Sequence, residues 1–289
     1  MFHPRVSFTI PLPHRPALQL GARTFVMGIL NVTPDSFADG GRHFDFDRAV
    51  AAGLRMVAEG ADIIDIGGES TRPGADPLPE DEELRRVLPV VERLAVETDA
   101  PISIDTYKAN VARAAVARGA AIINDVSGLQ YEPALGAVAA ETGAALILMH
   151  TRGRSREMYE RAVYGDVVRE VTAELGSAIE RARAAGVSRD RIVIDPGFGF
   201  AKRAEHSYGV LAHLDALAAL DCPILSGPSR KSFLKTVLGE REPDQREWGT
   251  AAAVTASVLL GAHIVRVHGV GAMVDVVRVA DRIRAAARE

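Results

Sequence analysis

The chain has 289 residues, and its 34 Lys and Arg against 38 Asp and Glu give a formal net charge of −4. This balance lacks the basic excess expected of a protein that binds nucleic acid, and an apolar content of 47% is enough for a sizeable core. The longest weakly polar stretch, residues 251–265, is too short to cross a bilayer, and the N-terminus lacks the apolar run of a signal peptide. We therefore expect a cytoplasmic protein that partners neither nucleic acid nor a membrane.

Cysteine usage and length bear on compartment and domain number. Cys222 is the only cysteine, so no intrachain disulfide can form, which suits a reducing compartment. Its place before Pro223 and an apolar run favours a packed thiol over a nucleophile. The length would allow about two domains, but no Pro, Ser and Gly-rich linker divides the chain. We expect one domain spanning residues 1–289.

In chain order, the first predicted element is a short hairpin over residues 5–24, where two apolar segments flank a turn. After it, apolar β-branched runs alternate with helical patterns eight times. Such alternation builds a parallel sheet, and eight units indicate an α/β fold, a (β/α)8 TIM barrel, with the hairpin covering its bottom. The runs, each with the polar cluster that ends it, are VMGILNVTPDSF (26–37), DIIDIGGESTRPG (62–74), ISIDT (102–106), IINDV (122–126), ALILMH (145–150), IVIDPGFGF (192–200), PILSGPSRK (223–231) and HIVRVH (263–268).

Helical patterns fill the intervals between the runs. Pro89 should kink or divide the second of these helices. The interval after the fifth strand is long, which leaves room for an ordered loop before the fifth helix. The predicted helices are 47–60, 79–98, 108–119, 132–142, 155–186, 205–220, 247–261 and 272–288.

Acidic and amide side chains end three of the strands. Asp105, Asn124 and Asp195 follow the third, fourth and sixth apolar runs. The chemistry of a barrel of this type sits at the C-terminal ends of its strands, and buried carboxylates need polar partners. Carboxylates accept hydrogen bonds, whereas an amide both donates and accepts. This set suits a flat nitrogen heterocycle with N–H donors and a carbonyl along one edge.

Basic residues end the last two strands. In HIVRVH, side-chain alternation directs Val265 and Val267 to the helices and Arg266 and His268 to the interior. Two interpretations of Arg266 remain open at this point, an anion-binding residue and a structural ion pair with a neighbouring carboxylate. The SGPSRKS segment after the seventh strand lies where such barrels commonly bind phosphate. No zinc-ligand spacing, P-loop, GxGxxG or GxSxG pattern accompanies these residues.

These motifs, in this order, resemble the dihydropteroate synthase family of pterin-binding barrels, and the resemblance covers the chain after residue 24. The first two motifs are long and highly specific. The matching pieces are MGILNVTPDSFADGG (27–41), IDIGGESTRPGA (64–75), SIDT (103–106), IINDVSG (122–128), LMH (148–150), IDPGFGF (194–200), SRKSF (229–233) and IVRVH (264–268).

The resemblance implies a transferase of folate biosynthesis that joins p-aminobenzoate to a dihydropterin carrying a CH2–diphosphate, with Mg2+ accompanying the diphosphate. It also implies a homodimer and inhibition by sulfonamides. By the same resemblance, Asp105, Asn124, Asp195 and Lys231 contact the pterin, and Asn31 holds Mg2+. The residues implied for diphosphate are Asn31, Thr71, Arg72, Arg266 and His268; those for p-aminobenzoate are Thr71, Phe200, Ser229 and Lys231; those for the chemistry are Asp35, Lys231, Arg266 and His268.

Loops 33–41 and 67–77 resemble mobile flaps that carry Asp35, Thr71 and Arg72. Taken alone, Asp35 and Thr71 would be caps, Arg72 a solvated charge, and His150 a hydrogen-bonded interior residue. The chain departs from the family pattern after LMH, where TRGRSREMYERAV is unusually basic, and after RVH, where Gly269 follows.

Two other functions deserve comparison. A pterin-binding methyltransferase domain would need no diphosphate site, and the SRK, RVH and NVTPDSF motifs argue against it. A catalytically silent pterin-binding paralogue would not need Asp35, Thr71, Arg72 and Lys231, all of which are present.

Overall fold

A computed structural model describes residues 5–32, 42–70 and 74–287 of the chain. The first element is an antiparallel hairpin of β1 (Phe8–Leu12) and β2 (Arg15–Leu20). Eight parallel strands follow, β3 to β10 in chain order. They are Phe25–Asn31, Ile63–Gly67, Ile102–Asp105, Ala120–Asp125, Ala145–Met149, Ile192–Asp195, Leu225–Ser226 and Ile264–Val267.

The eight strands form the predicted barrel. Strands β3 to β8 pair in chain order, and β10 pairs with both β3 and β9. A bridge between Ile194 and Ile224 joins the two ends of the sheet and closes the ring. Closure places the C-terminal ends of all eight strands around one opening.

Two apolar layers hold the barrel together. The outer layer lies between strands and helices and contains Val265 and Val267, as the alternation in the last strand predicts. The inner layer fills the bottom of the barrel, where Ile10, Leu18 and Leu20 of the hairpin pack on the N-terminal halves of the strands. The hairpin therefore covers the bottom, as expected from the sequence.

Helices α1 to α9 surround the strands within the described residues. Their bounds are Arg42–Ala58, Glu80–Glu97, Ala109–Val116, Ala134–Thr142, Val167–Ala184, Ala204–Ala212, Lys235–Leu238, Glu247–Leu259 and Val270–Ala286. The prediction that Pro89 divides the second helix is wrong in that α2 runs unbroken through it. Pro89 and Arg85 are both exposed, so water can satisfy the Arg85 carbonyl that loses its helical N–H partner.

Two helix predictions are too long. The fifth helix begins at Val167, not at residue 155, because Asp166 caps it by accepting a hydrogen bond from the Arg169 N–H at 3.0 Å. Residues 151–166 form a loop of successive turns. Two residues of this loop, Met158 and Ala162, have buried side chains. The sixth predicted helix is α6 followed by a separate 3-10 segment, Leu214–Leu220.

Among the described residues, no helix is both long and apolar enough to traverse a membrane.

Candidate active site

The side chains predicted from the strand ends meet in one small cavity at the C-terminal end of the barrel. Strand register explains the convergence, because Asp105 lies directly beside Asn124 on the neighbouring strand. The cavity is lined on its other sides by the ends of β8 and β10 and the loops after β8 and β9. Its polar lining residues are Asp105, Asn124, Asp195, Lys231 and Arg266.

Arg266 is held by two carboxylates. Its Nε donates to Asp65 Oδ2 at 2.6 Å, and one Nη donates to Asp105 Oδ2 at 2.6 Å. The Asn124 amide donates to the same Asp65 oxygen at 3.0 Å. Of the two interpretations of Arg266 that the sequence left open, the structure shows the ion pair with neighbouring carboxylates. The acidic and basic groups of the site are therefore in direct contact and do not form two separate halves.

Asp65 was not assigned any role from the sequence. Its side chain is fully buried, and within the described residues its Oδ1 has no hydrogen-bond partner. Side-chain alternation along β4 could have identified it, because Asp65 shares the inward face of the strand with Ile63 and Gly67. A carboxylate on the inside of a barrel strand needs a cation, and Arg266 supplies it from 201 residues away.

The electrostatic setting changes the acidity of the groups around the cavity. Burial raises the pKa of Asp105 to about 7, with Arg266 opposing the shift and Asp65 adding to it. Burial also raises the pKa of Asp195, although the Gly197 N–H donates to its Oδ1 at 2.7 Å. Burial lowers the pKa of Lys231 to about 8, and repulsion from Arg266 acts in the same direction. The cavity therefore holds groups that can exchange protons near neutral pH.

The loop after β9 brings Lys231 to the cavity and directs Arg230 to a different partner. Arg230 adopts a positive φ of 59°, and its guanidinium pairs with Glu247 at 3.1 Å. The Lys231 ammonium lies 4.1 Å from the centroid of the Phe200 ring. Of the predicted arylamine residues, Phe200 and Lys231 are therefore in contact, and Ser229 lies two residues before Lys231 in the same loop.

Ser229 also joins the loop to the end of β10. Its hydroxyl accepts the His268 N–H at 3.2 Å and lies 3.0 Å from His268 Nδ1. One hydroxyl can accept the first bond and donate the second. This pairing ties His268, which directly follows β10 and lies two residues after Arg266, to the loop after β9.

Asn31 ends β3 and lies level with Gly67 of the neighbouring strand, which in turn is level with Asp105. It therefore reaches the same end of the barrel as the cavity. The flap residues Asp35, Thr71 and Arg72 lie outside the described residues.

The basic loop after β7 makes contacts across the top of the barrel. The Ser155 hydroxyl donates to the Ala75 carbonyl at 3.0 Å, and the Ser155 carbonyl accepts the Gly74 N–H at 3.3 Å. Arg154 lies 4.5 Å from the centroid of the Tyr131 ring. This loop therefore supports the segment that follows Thr71 and Arg72.

The predictions that His150 is a hydrogen-bonded interior residue and that Cys222 is a packed thiol are both confirmed. His150 is buried and bonded to Lys202 and Glu174. Cys222 is buried as a free thiol, and burial raises its pKa to about 11, which keeps it protonated. A cavity of about 980 Å3 lies beside Cys222 and the N-terminal segment, away from the strand C-terminal ends.

Comparison with known proteins places this geometry in a family. The pterin-binding enzyme family model matches residues 27–268. A dihydropteroate synthase from Synechocystis is 47% identical over 96% of this chain and 96% of its own.

Solved structures agree. Dihydropteroate synthase from Xanthomonas albilineans with 4-aminobenzoic acid is 45% identical, with a TM-score of 0.88 over 96% of this chain and 99% of its own. The Yersinia pestis enzyme in a sulfonamide complex is 42% identical, with a TM-score of 0.89 over 96% of this chain and 100% of its own. The chain therefore belongs to the dihydropteroate synthase family of pterin-binding enzymes.

Proposed function

We propose that this chain condenses 6-hydroxymethyl-7,8-dihydropterin diphosphate with p-aminobenzoate, giving 7,8-dihydropteroate and diphosphate in folate biosynthesis. The observation that carries the proposal is the convergence of Asp105, Asn124, Asp195, Lys231 and Arg266 on one cavity. These residues come from four strands and one loop, and they match the family motifs position by position.

The acidic and amide groups suit the pterin. Asp195 directs Oδ1 to the Gly197 N–H, while its Oδ2 lies toward Gly227, where the missing side chain leaves space. A pterin edge offers N–H donors to such carboxylate oxygens and a carbonyl to the Lys231 ammonium. We assign Asp105, Asn124, Asp195 and Lys231 to this ring.

The neighbouring face suits the arylamine. Phe200 offers an apolar ring face next to the Lys231 ammonium, and Ser229 is a buried hydroxyl in the loop that carries Lys231. We assign Phe200, Ser229 and Lys231 to p-aminobenzoate, with Thr71 completing the pocket. A sulfonamide occupies the same place in this proposal.

In the reaction, the bond between the pterin methylene carbon and the diphosphate oxygen breaks, and its electron pair leaves with the diphosphate. The positive charge left on the methylene is shared with the pterin ring. The neutral arylamine nitrogen attacks this carbon and then loses one proton. Carboxylates such as Asp35 stabilise the cation, whereas Arg266, His268, Thr71 and Arg72 stabilise the departing anion.

The residues present fit an Mg2+ ion that arrives with the substrate. The described residues hold no cluster of three or more His, Cys, Asp and Glu that could bind a metal. An ion that takes most of its ligands from phosphate oxygens and water needs few from the protein. The Asn31 side-chain oxygen, at the C-terminal end of β3, is a suitable donor. When bound, Mg2+ would neutralise diphosphate charge.

We also propose a single-domain cytoplasmic protein that forms a homodimer through helices outside the barrel. Exposed apolar side chains on two of those helices support this choice of dimer surface: Trp248 is 84% exposed on α8, and Val279 is 62% exposed on α9. Contiguous exposed apolar patches are typical of protein contacts, and α8 and α9, which carry these two side chains, pack side by side.

A turnover assay tests the function. The purified chain, both substrates and Mg2+ should produce dihydropteroate and diphosphate in equal amounts. Pterin binding without diphosphate release would instead support a catalytically silent paralogue. The Asp105→Asn variant serves as the matched low-activity control, because it keeps the side-chain shape but not the charge.

A further inference from the structure

A buried lysine that the proposed reaction does not use lies behind the arylamine side of the site. Lys202 follows the Gly197–Ala201 loop, and its side chain is among the largest that are fully buried. No salt bridge to Lys202 is found among the described residues, where its ammonium meets neutral acceptors instead. Burying a charge is costly unless it is well hydrogen-bonded.

The three short contacts of Lys202 match the three donors of an ammonium. Nζ lies 2.7 Å from His150 Nδ1, 3.2 Å from the Gly197 carbonyl and 3.1 Å from the Phe200 carbonyl. An ammonium has three N–H donors and no acceptor. Burial lowers the pKa of Lys202 to about 7, and its ammonium form, which donates in all three directions, satisfies every one of these contacts.

His150, which directly follows β7, completes the arrangement. Burial lowers the pKa of His150 to about 4, so its ring is neutral. With Nδ1 accepting from Lys202, the ring proton sits on Nε2 and is donated to Glu174 at 3.0 Å. Lys202 thus links the loop after β8 to a fixed point on the neighbouring strand.

The loop itself needs such a link because its backbone is unusual. Gly197, Gly199 and Ala201 all have positive φ, at 68°, 77° and 47°. Positive φ is unfavourable for a residue with a side chain such as Ala201. Strained backbone of this kind persists when surrounding contacts determine it, and the Lys202 bonds to two loop carbonyls are such contacts.

The loop carries Phe200, whose ring lies against the Lys231 ammonium. Lys202 donates a hydrogen bond to the backbone carbonyl of Phe200, and Lys231 contacts the ring of the same residue. We propose that Lys202 is a positioning residue for the arylamine side of the active site, fixing the Gly197–Ala201 loop so that Phe200 can receive p-aminobenzoate. This inference rests on the proposed function.

The test compares Lys202→Met with Arg203→Met. Both replace a basic side chain with the same unbranched apolar one, but Arg203 is exposed whereas Lys202 is fully buried. We expect Lys202→Met to raise the KM for p-aminobenzoate about 10-fold or more, because small displacements of positioning groups are costly. The KM for the pterin diphosphate should change by no more than about twofold.

A double-mutant cycle separates positioning from general destabilisation. If Lys202 acts through Phe200, Lys202→Met should add little to the KM for p-aminobenzoate in a Phe200→Leu background. Additive effects of the two substitutions would overturn the proposal. Should Lys202→Met fail to fold, His150→Leu removes the shortest Lys202 contact, and an unchanged KM for p-aminobenzoate in that variant would also overturn it.

The outcomes distinguish the two levels of inference. No turnover by the unsubstituted chain overturns the proposed function. Turnover by the unsubstituted chain with equal kinetics for Lys202→Met and Arg203→Met overturns the role of Lys202 alone.

Discussion

Arg266 and Asp105 are joined across the top of the barrel by a hydrogen bond of 2.6 Å between guanidinium and carboxylate. Asp105 is therefore both a partner of Arg266 and a lining residue of the cavity assigned to the pterin. A ligand that takes over the Asp105 oxygens must compete with Arg266. Asp65 is fully buried and accepts from Arg266 Nε at 2.6 Å, so we expect it to keep the guanidinium in place during that exchange.

Asp65→Asn tests this anchoring role. The substitution keeps the shape but removes the charge that holds Arg266, and a hydrogen bond to a charged group contributes about 1.5–3 kcal/mol. We expect kcat/KM for the pterin diphosphate to fall about 10- to 100-fold, since each 1.4 kcal/mol is a factor of ten. Steady-state kinetics measures it, and Asp275→Asn, at a side chain that is 80% exposed, is the control. Normal kinetics in Asp65→Asn would remove Asp65 from the site.

Asp105→Asn should weaken pterin binding and alter the pH dependence of stability. The folded-state pKa of Asp105 is raised from 3.8 to about 7, so between these values the folded protein binds a proton that the unfolded chain has released. The contribution of this group to the free energy of unfolding therefore falls as pH rises from about 4 to about 7. Asn cannot titrate, so the free energy of unfolding of the variant should not show this decrease between about pH 4 and pH 7.

Urea unfolding at several pH values, together with pterin binding by calorimetry, checks both effects of Asp105→Asn. Identical pH slopes for the variant and the unsubstituted chain would contradict the raised pKa. Unchanged pterin affinity would contradict the assigned contact.

Lys231→Ala should impair both substrates, because its ammonium lines the cavity and also lies 4.1 Å from the Phe200 ring centroid. We expect both KM values to rise about 10-fold or more, as for loss of a charged hydrogen-bond donor. Lys235→Ala, in the adjacent helix α7 and paired with Glu240, is the matched control. An effect on one substrate only would restrict Lys231 to that side of the site.

A sulfonamide should inhibit competitively with p-aminobenzoate and not with the pterin diphosphate. The two aryl compounds share a ring that Phe200 can pack against and an amine beside the reacting carbon. Initial rates at several concentrations of each substrate distinguish the two patterns. If sulfonamides of several structures all fail to compete, the assignment of Phe200 and Ser229 to this pocket is wrong.

Gly197→Ala should destabilise the loop after β8. A side chain there would lie 2.2 Å from the His150 carbonyl oxygen, on top of the cost of a positive φ of 68°. Gly239→Ala is the control, since Gly239 also has a positive φ, of 78°, but nothing within 4 Å of the added carbon. We expect a loss of about 1–3 kcal/mol for Gly239→Ala from backbone strain alone and a clearly larger loss for Gly197→Ala. If urea unfolding shows the same loss of unfolding free energy for both variants, the loop can move to accommodate the added methyl group, and the prediction is wrong.

Several features of the site could be predicted from local sequence because alternation is a local property. Strand periodicity directs Arg266 inward and Val265 and Val267 outward, and parallel strands place Asp105, Asn124 and Asp195 at one end. The family motifs then indicated the chemistry that such a cluster could perform.

The helix errors show where local patterns mislead. Apolar spacing over residues 155–166 resembles a helix, yet Met158 and Ala162 bury their side chains from a loop, and Asp166 sets the true helix start. The prediction that Pro89 divides α2 is wrong, and the exposed position of Pro89 makes the lost hydrogen bond tolerable.

By itself the sequence determined the barrel, its covered bottom and the end at which the chemistry lies, because these follow from periodicity and from the order of strands and helices. Only the tertiary structure decided which charges meet. Arg266 lies between Asp65 and Asp105, and Lys202 lies between His150 and the Phe200 carbonyl. Such pairings join residues far apart in the chain, and burial, rather than neighbouring sequence, decides whether a charge must find a partner.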